Sequence, residues 1–181
     1  MTESPASARD RQALDALFSL AYEELRRLAS AIRSDDGSAT ISPTALVNEA
    51  WLKLAGSRGF ADLSLLHFKR IAARAMRQVL IEAARKRFAR KRGGRGEVAL
   101  VTFDDAVAAT VSSASELLAL DAALHDLARL SPRQATLVES RFFGGLGIAE
   151  VAEMLGVSEA TAHRDWRAAR AWLARELQPD G

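Results

Sequence analysis

An all-α fold of two small helical domains joined by a flexible linker is predicted by three observations. Apolar residues recur at helical spacing through several long segments, no stretch alternates as a strand would, and glycine-rich or proline-marked breaks separate the segments. At 181 residues and 49% hydrophobic, the chain has enough apolar content to bury real cores. The expected boundaries are an unstructured tail over 1–9, a first domain over 10–92, a linker over 93–115 and a second domain over 116–178.

After the Ser/Ala/Pro tail, Leu14, Leu17, Phe18, Ala21, Leu25, Leu28 and Ile32 mark a long amphipathic helix, followed by a loop rich in Asp, Gly and Ser. Ser42 and Pro43 read as a cap and first helical position for a helix carrying Leu46, Val47, Ala50, Trp51 and Leu54. Gly56 and Gly59 punctuate the next loop. From about Ser64 to Arg92 the pattern is helical again, with Phe68, Ala72, Ala75, Val79 and Ala83 on one side and Arg70, Arg74, Arg77 and Arg85 largely on another. Gly93, Gly94 and Gly96 break that helix and open the linker. The second domain begins near Glu116 with Leu117, Leu120, Leu124 and Leu127, stops at Ser131 and Pro132, and resumes as a helix from Arg133 to Phe143 that ends in the corner Gly144 to Gly147.

The segment from Ile148 to Leu173 reads as a helix-turn-helix. Ile148, Val151, Ala152 and Leu155 fall at helical spacing, Gly156 can take the left-handed conformation that ends a helix, and Ser158 can cap the next one. In the second helix Ala162, Trp166, Ala169 and Leu173 form the inner stripe, so Glu159, Thr161, His163, Arg164 and Arg167 point outward, as a helix lying in a major groove requires. A helical hairpin inside an all-α domain is the alternative.

Charge distribution favours the nucleic-acid reading. The net charge is only +2, but between Lys69 and Arg95 eleven Lys or Arg residues face a single acid, Glu82, and the remainder sums to −8. A basic block in an otherwise acidic chain is the footprint of a polyanion partner; a solvated helix face or a membrane-surface helix are the alternatives. With no cysteine, neither disulfides nor thiolate metal sites are available. No targeting pattern or span of membrane length is present, so a cytoplasmic protein with no membrane partner is expected. His67, His125 and His163 are scattered over different elements, and no phosphate-cradling loop follows a strand, so no catalytic residue, metal or cofactor is expected and the chain reads as a non-enzyme.

The order of these features resembles the bacterial RNA polymerase sigma factors of the extracytoplasmic-function (ECF) type. Leu124 through Pro132, then Arg133, Gln134 and Arg141 to Gly145, are similar to that family's region four, and Ile148 to Ser158 with Thr161 repeat its helix-turn-helix phrase. Arg77, Gln78, Ile81, Glu82, Arg85 and Lys86 stand where region two commonly has Arg, Asn, Ile, Asp, Arg and a basic residue, with Gln and Glu as mild departures. The resemblance implies that the first domain is region two, which binds core RNA polymerase and opens the minus-10 element of promoter DNA. Arg70, Arg74, Arg77, Gln78, Arg85 and Lys86 would contact that DNA, and Arg58 and Phe60 lie in the loop where the family reads a flipped base. For Phe60 a core-packing role stands equally open. The second domain would read the minus-35 element through Ser158, Glu159, Thr161, His163, Arg164 and Arg167. Asp165 and Ala168 occupy positions where many relatives are basic, so promoter preferences do not carry over.

The helix beginning at Pro43 corresponds to the part of region two that docks on the polymerase clamp, with Asn48, Glu49 and Leu52 on its outer face. Many relatives open this helix with carboxylates, which Ser42, Pro43, Thr44 and Ala45 replace here. Phosphorylation of Thr44 would restore negative charge at a helix N-terminus. That pattern resembles a subset of the family associated with Ser/Thr kinases, and regulation by a kinase or by an anti-sigma protein is implied; Ser-Pro-Thr is also an ordinary helix start. A free-standing helix-turn-helix regulator that never joins polymerase is the competing function.

Overall fold

Seven helices, without a strand, make up the described residues 5–31, 41–90 and 113–178 of the computed structural model. The predicted Ile32, the loop after it, the glycines at 93, 94 and 96 and most of the predicted linker lie outside the described residues.

Helix α1 (Pro5–Ala31) starts inside the segment expected as a tail, which corrects that boundary. The helix continues N-terminally beyond Leu14, because Arg9 to Arg11 contain no residue that breaks a helix. Helix α2 (Pro43–Ala55) begins as its sequence dictates: the Ser42 hydroxyl accepts the Ala45 amide at 3.2 Å, and Pro43 sits where a missing N–H costs nothing. Helix α3 (Leu65–Arg90) is the long basic helix. Leu14, Ala21 and Leu25 of α1 meet Leu46, Val47 and Ala50 of α2 and Phe68, Ala72 and Met76 of α3 in an apolar core. Phe18 makes edge contacts with Tyr22 and Trp51, at centroid distances of 5.8 and 6.4 Å.

Helix α4 (Ala114–Leu130) is capped by Ser113, whose hydroxyl accepts the Glu116 amide, so the residues 113–115 assigned to the linker belong to the helix start. Glu116 itself is buried, and the expected start at that residue moves to Ala114. Helix α5 (Pro132–Phe142) follows after Ser131 alone, with Pro132 at its first position. Helices α6 (Ile148–Leu155) and α7 (Glu159–Glu176) form the helix-turn-helix. Gly156 between them has φ +65°, the left-handed conformation the turn needs, and Ser158 caps α7 through the Thr161 amide at 3.2 Å.

The two halves pack on one another. Helix α3 contacts α4, α5 and α6, and one apolar core runs through both halves. The corner after α5 comes close to the first half. A methyl group at Gly145 (φ +66°) would lie 2.6 Å from the Leu28 side chain, and one at Gly144 would lie 3.0 Å from the Ala73 methyl. Gly145 thus lets the corner seat against α1, while at Gly144 a side chain would first meet the corner's own Ser140 carbonyl, 2.6 Å away.

Candidate nucleic-acid interface

Helix α7 buries one side and presents the other. Ala162, Trp166, Ala169 and Leu173 are buried, while Glu159, His163, Arg164 and Arg167 are exposed and Thr161 is half-buried. The Ser158 and Thr161 hydroxyls pair at 3.0 Å, and Arg164 donates to the Thr161 hydroxyl at 3.4 Å. Arg164 is therefore held over the first turn of α7, beside the amides that a phosphate would meet. Trp166 anchors the helix from beneath, with the guanidinium of Arg141 4.5 Å from its ring centroid and that of Arg170 at 5.9 Å.

Asp165, which stands where many relatives are basic, points inward. It is 5% exposed, and its carboxylate accepts from Arg133 Nε at 2.6 Å and Nη2 at 3.1 Å, tying α7 to the first turn of α5. An acid is kept there by an internal partner that sequence alone does not reveal.

On α3, Arg70, Arg74, Gln78, Arg85 and Lys86 are exposed, as is Arg58 in the preceding loop. Two of the predicted minus-10 residues are placed otherwise. Phe60 is 3% exposed and packs edge-on against Phe68 with centroids 6.5 Å apart, so it is a core residue and offers no surface to a base. Arg77 is half-buried between the two halves: its guanidinium donates to Asp121 and to Glu139. Glu82, the single acid of the basic block, pairs with Lys53 of α2 at 2.8 Å; that hydrogen bond, with the nearby charges of Lys53, Lys86 and Arg85, holds its carboxyl below the usual range.

Sequence reasoning missed Asp10. Its carboxylate accepts the amides of Phe60 and Ala61 at 3.0 and 3.1 Å and so braces the loop after α2 from the start of α1. The Gly59 amide above all, then those of Ala61 and Phe60 and the charge of Arg58, keep Asp10 below its ordinary pKa. No local pattern announces this role, because donor and acceptor lie some fifty residues apart.

Between α3 and the second half run two adjoining clefts. One of about 480 Å³ is lined by Arg70, Arg74 and Arg77 together with His125, Thr136 and Glu139; the other, about 410 Å³, adds Gln78, Arg85 and Asp121. Lys69 spans the same boundary with Glu24 at 2.7 Å and Glu150 at 3.5 Å. Burial would depress its ammonium, but the hydrogen bond to Glu24 and the charges of both acids prevail and raise it.

On α2, Asn48 and Glu49 are exposed and Leu52 is 58% exposed, an apolar side chain on a polar face. Thr44 is exposed in a first turn that holds no acid. Among the described residues no group of His, Asp or Glu is arranged to hold a metal ion, and no helix is long and apolar enough to cross a membrane.

The family model for ECF sigma factors matches residues 6–179. No curated protein and no solved structure matches the chain. A match that runs from the first turns of α1 through the basic helix and on past the helix-turn-helix makes the chain a member of the ECF sigma factor family, an alternative sigma factor that directs transcription initiation.

Proposed function

We propose that the chain docks on core RNA polymerase through the outer face of α2 and that a phosphate on Thr44 gates this docking. The observation that carries the reading is the composition of the α2 N-terminus: a capped first turn whose only polar side chain within the helix is the exposed Thr44, ahead of the exposed Asn48, Glu49 and Leu52. Free amides and the positive end of the helix dipole stabilise an anion at such a site, and a phosphate brings close to two negative charges. A Ser/Thr kinase is the partner this implies.

On the DNA side, α7 reads the minus-35 element, with Arg164 and Arg167 one turn apart on its exposed face and Ser158, Glu159, Thr161 and His163 at its leading end. The exposed Arg70, Arg74, Gln78, Arg85 and Lys86, joined by Arg58 and, once it is released, Arg77, hold the minus-10 strand. The polymerase carries all of the chemistry, and the chain contributes binding and positioning alone.

Affinity for core polymerase tests the docking reading directly. Thr44→Glu is expected to bind about tenfold more tightly than the unmodified chain, equivalent to about 1.4 kcal/mol, and Leu52→Asp added to Thr44→Glu is expected to abolish that gain. Equal binding by the unmodified chain and by Thr44→Glu, with the kinase-treated chain no tighter, would remove the phosphate gate. Full binding by Leu52→Asp would remove α2 as the docking face.

A further inference from the structure

Arg77 stands on the same helix as the exposed Arg70 and Arg74, yet its guanidinium is enclosed by the second half of the molecule. Nε donates to Asp121 Oδ1 at 2.9 Å, Nη2 donates to the Asp121 carbonyl at 3.1 Å and lies 2.8 Å from Oδ1, and Nη1 donates to Glu139 Oε1 at 3.0 Å. Each nitrogen of the guanidinium therefore meets an oxygen, four contacts in all, the kind of partner that phosphate oxygens of a nucleic-acid backbone would supply. Arg85 adds a longer contact to the other oxygen of Asp121, at 3.7 Å. The three principal side chains are 17–24% exposed, so water and salt screen these pairs less than they screen surface ion pairs.

Asp121 belongs to α4 and Glu139 to α5, so both acids come from the half that carries the helix-turn-helix. They also line the cleft whose opposite wall carries Arg74, Arg77 and Arg85, with Glu82 there already paired to Lys53. A nucleic-acid strand approaching that wall would meet two carboxylates already occupying the place of its phosphates, and like charges would repel it.

We propose that Asp121 and Glu139 act as an internal phosphate mimic, a clasp that closes the two halves on each other and competes with promoter DNA for Arg77. The proposal rests on the reading that the basic face of α3 meets DNA. Closure is supported a second time at Lys69, which is held by Glu24 of its own half and by Glu150 of α6; the other oxygen of Glu150 accepts the Gly147 amide at 2.7 Å, so one carboxylate both starts α6 and ties it to α3. The free chain thus spends most of its time closed, and its apparent affinity for a DNA strand is reduced by the fraction that is open.

Because the chain contains no cysteine, dyes placed at the exposed positions Ala16→Cys and Ala174→Cys report the separation of the halves in the full-length protein. The Asp121→Asn/Glu139→Gln double variant is expected to lower energy transfer and to bind a single-stranded DNA oligonucleotide about tenfold more tightly than the parent, as release from a state closed about nine-tenths of the time requires. An Asp15→Asn/Glu176→Gln control, which removes the same charge at exposed sites away from the clasp, is expected to change neither readout appreciably. Arg77→Glu is expected to open the halves and Arg77→Glu/Asp121→Arg, which reverses the charge of the principal partner, to close them again, which separates an opened chain from an unfolded one. Unchanged energy transfer in both the neutralised variant and Arg77→Glu would overturn the clasp. Opening without tighter DNA binding, or tightening matched by the control, would overturn the competition while leaving the polymerase-docking reading to its own test.

Discussion

Replacing Phe60 with alanine is expected to lower the free energy of unfolding by about 3–5 kcal/mol, the range for deleting a buried aromatic side chain whose neighbours cannot collapse into the space. Phe60 is 3% exposed, packs on Phe68 and sits in a loop whose amides are already held by Asp10. Phe60→Leu keeps most of the volume and is expected to cost markedly less. Urea denaturation of the two variants checks this. A residue that reads a flipped promoter base would behave in the opposite way: Phe60→Ala would cost less than about 1 kcal/mol of stability and would selectively weaken minus-10 binding.

Trp166→Ala is expected to cost a similar amount, again about 3–5 kcal/mol, and to loosen the recognition helix with it. The indole lies under α7, covered by the guanidinium of Arg141 and flanked by that of Arg170, and α7 rests on α4, α5 and α6. Truncation therefore removes apolar burial and leaves the buried Arg141 without its ring partner, an interaction of roughly 0.5–2 kcal/mol in its own right. Trp166→Phe retains a ring at the same site and is expected to recover much of the loss. Thermal unfolding followed by far-ultraviolet circular dichroism reads both variants; a Trp166→Ala protein as stable as the parent would mean that α7 is held by other contacts.

Local signals in the sequence were sufficient for the helices and for the outer face of the recognition helix. Gly156, Ser158 and the Ala162, Trp166, Ala169, Leu173 stripe act over a few residues, and the structure has the left-handed turn, the cap and the buried face they imply. Ser42, Pro43 and the exposed Leu52 were legible for the same reason. What the sequence leaves open or misassigns at Phe60, Asp165 and Arg77 is decided by contacts between distant residues. Phe60 is turned inward because its loop is fastened to Asp10, Asp165 is drawn under α7 by Arg133, and Arg77 leaves the open basic face because α4 and α5 bring two acids to it. A helical period assigns a side chain to a face but does not say which other helix covers that face. The expected tail is helical from Pro5 for a compositional reason: Ser, Ala and Arg after Pro5 suit the first turns of a helix as well as they suit a loop.

Promoter-directed run-off transcription tests the central claim most directly. Core RNA polymerase is supplied with the chain, unmodified or as Thr44→Glu, and with promoter templates selected for binding by the resulting holoenzyme. The account predicts initiation from those templates only when chain and core enzyme are both present, with Arg164→Ala or Arg167→Ala relaxing discrimination at a single minus-35 position by about 1–3 kcal/mol. Promoter-specific DNA binding by the chain alone, with neither form able to make the core enzyme initiate and neither arginine affecting specificity, would contradict it.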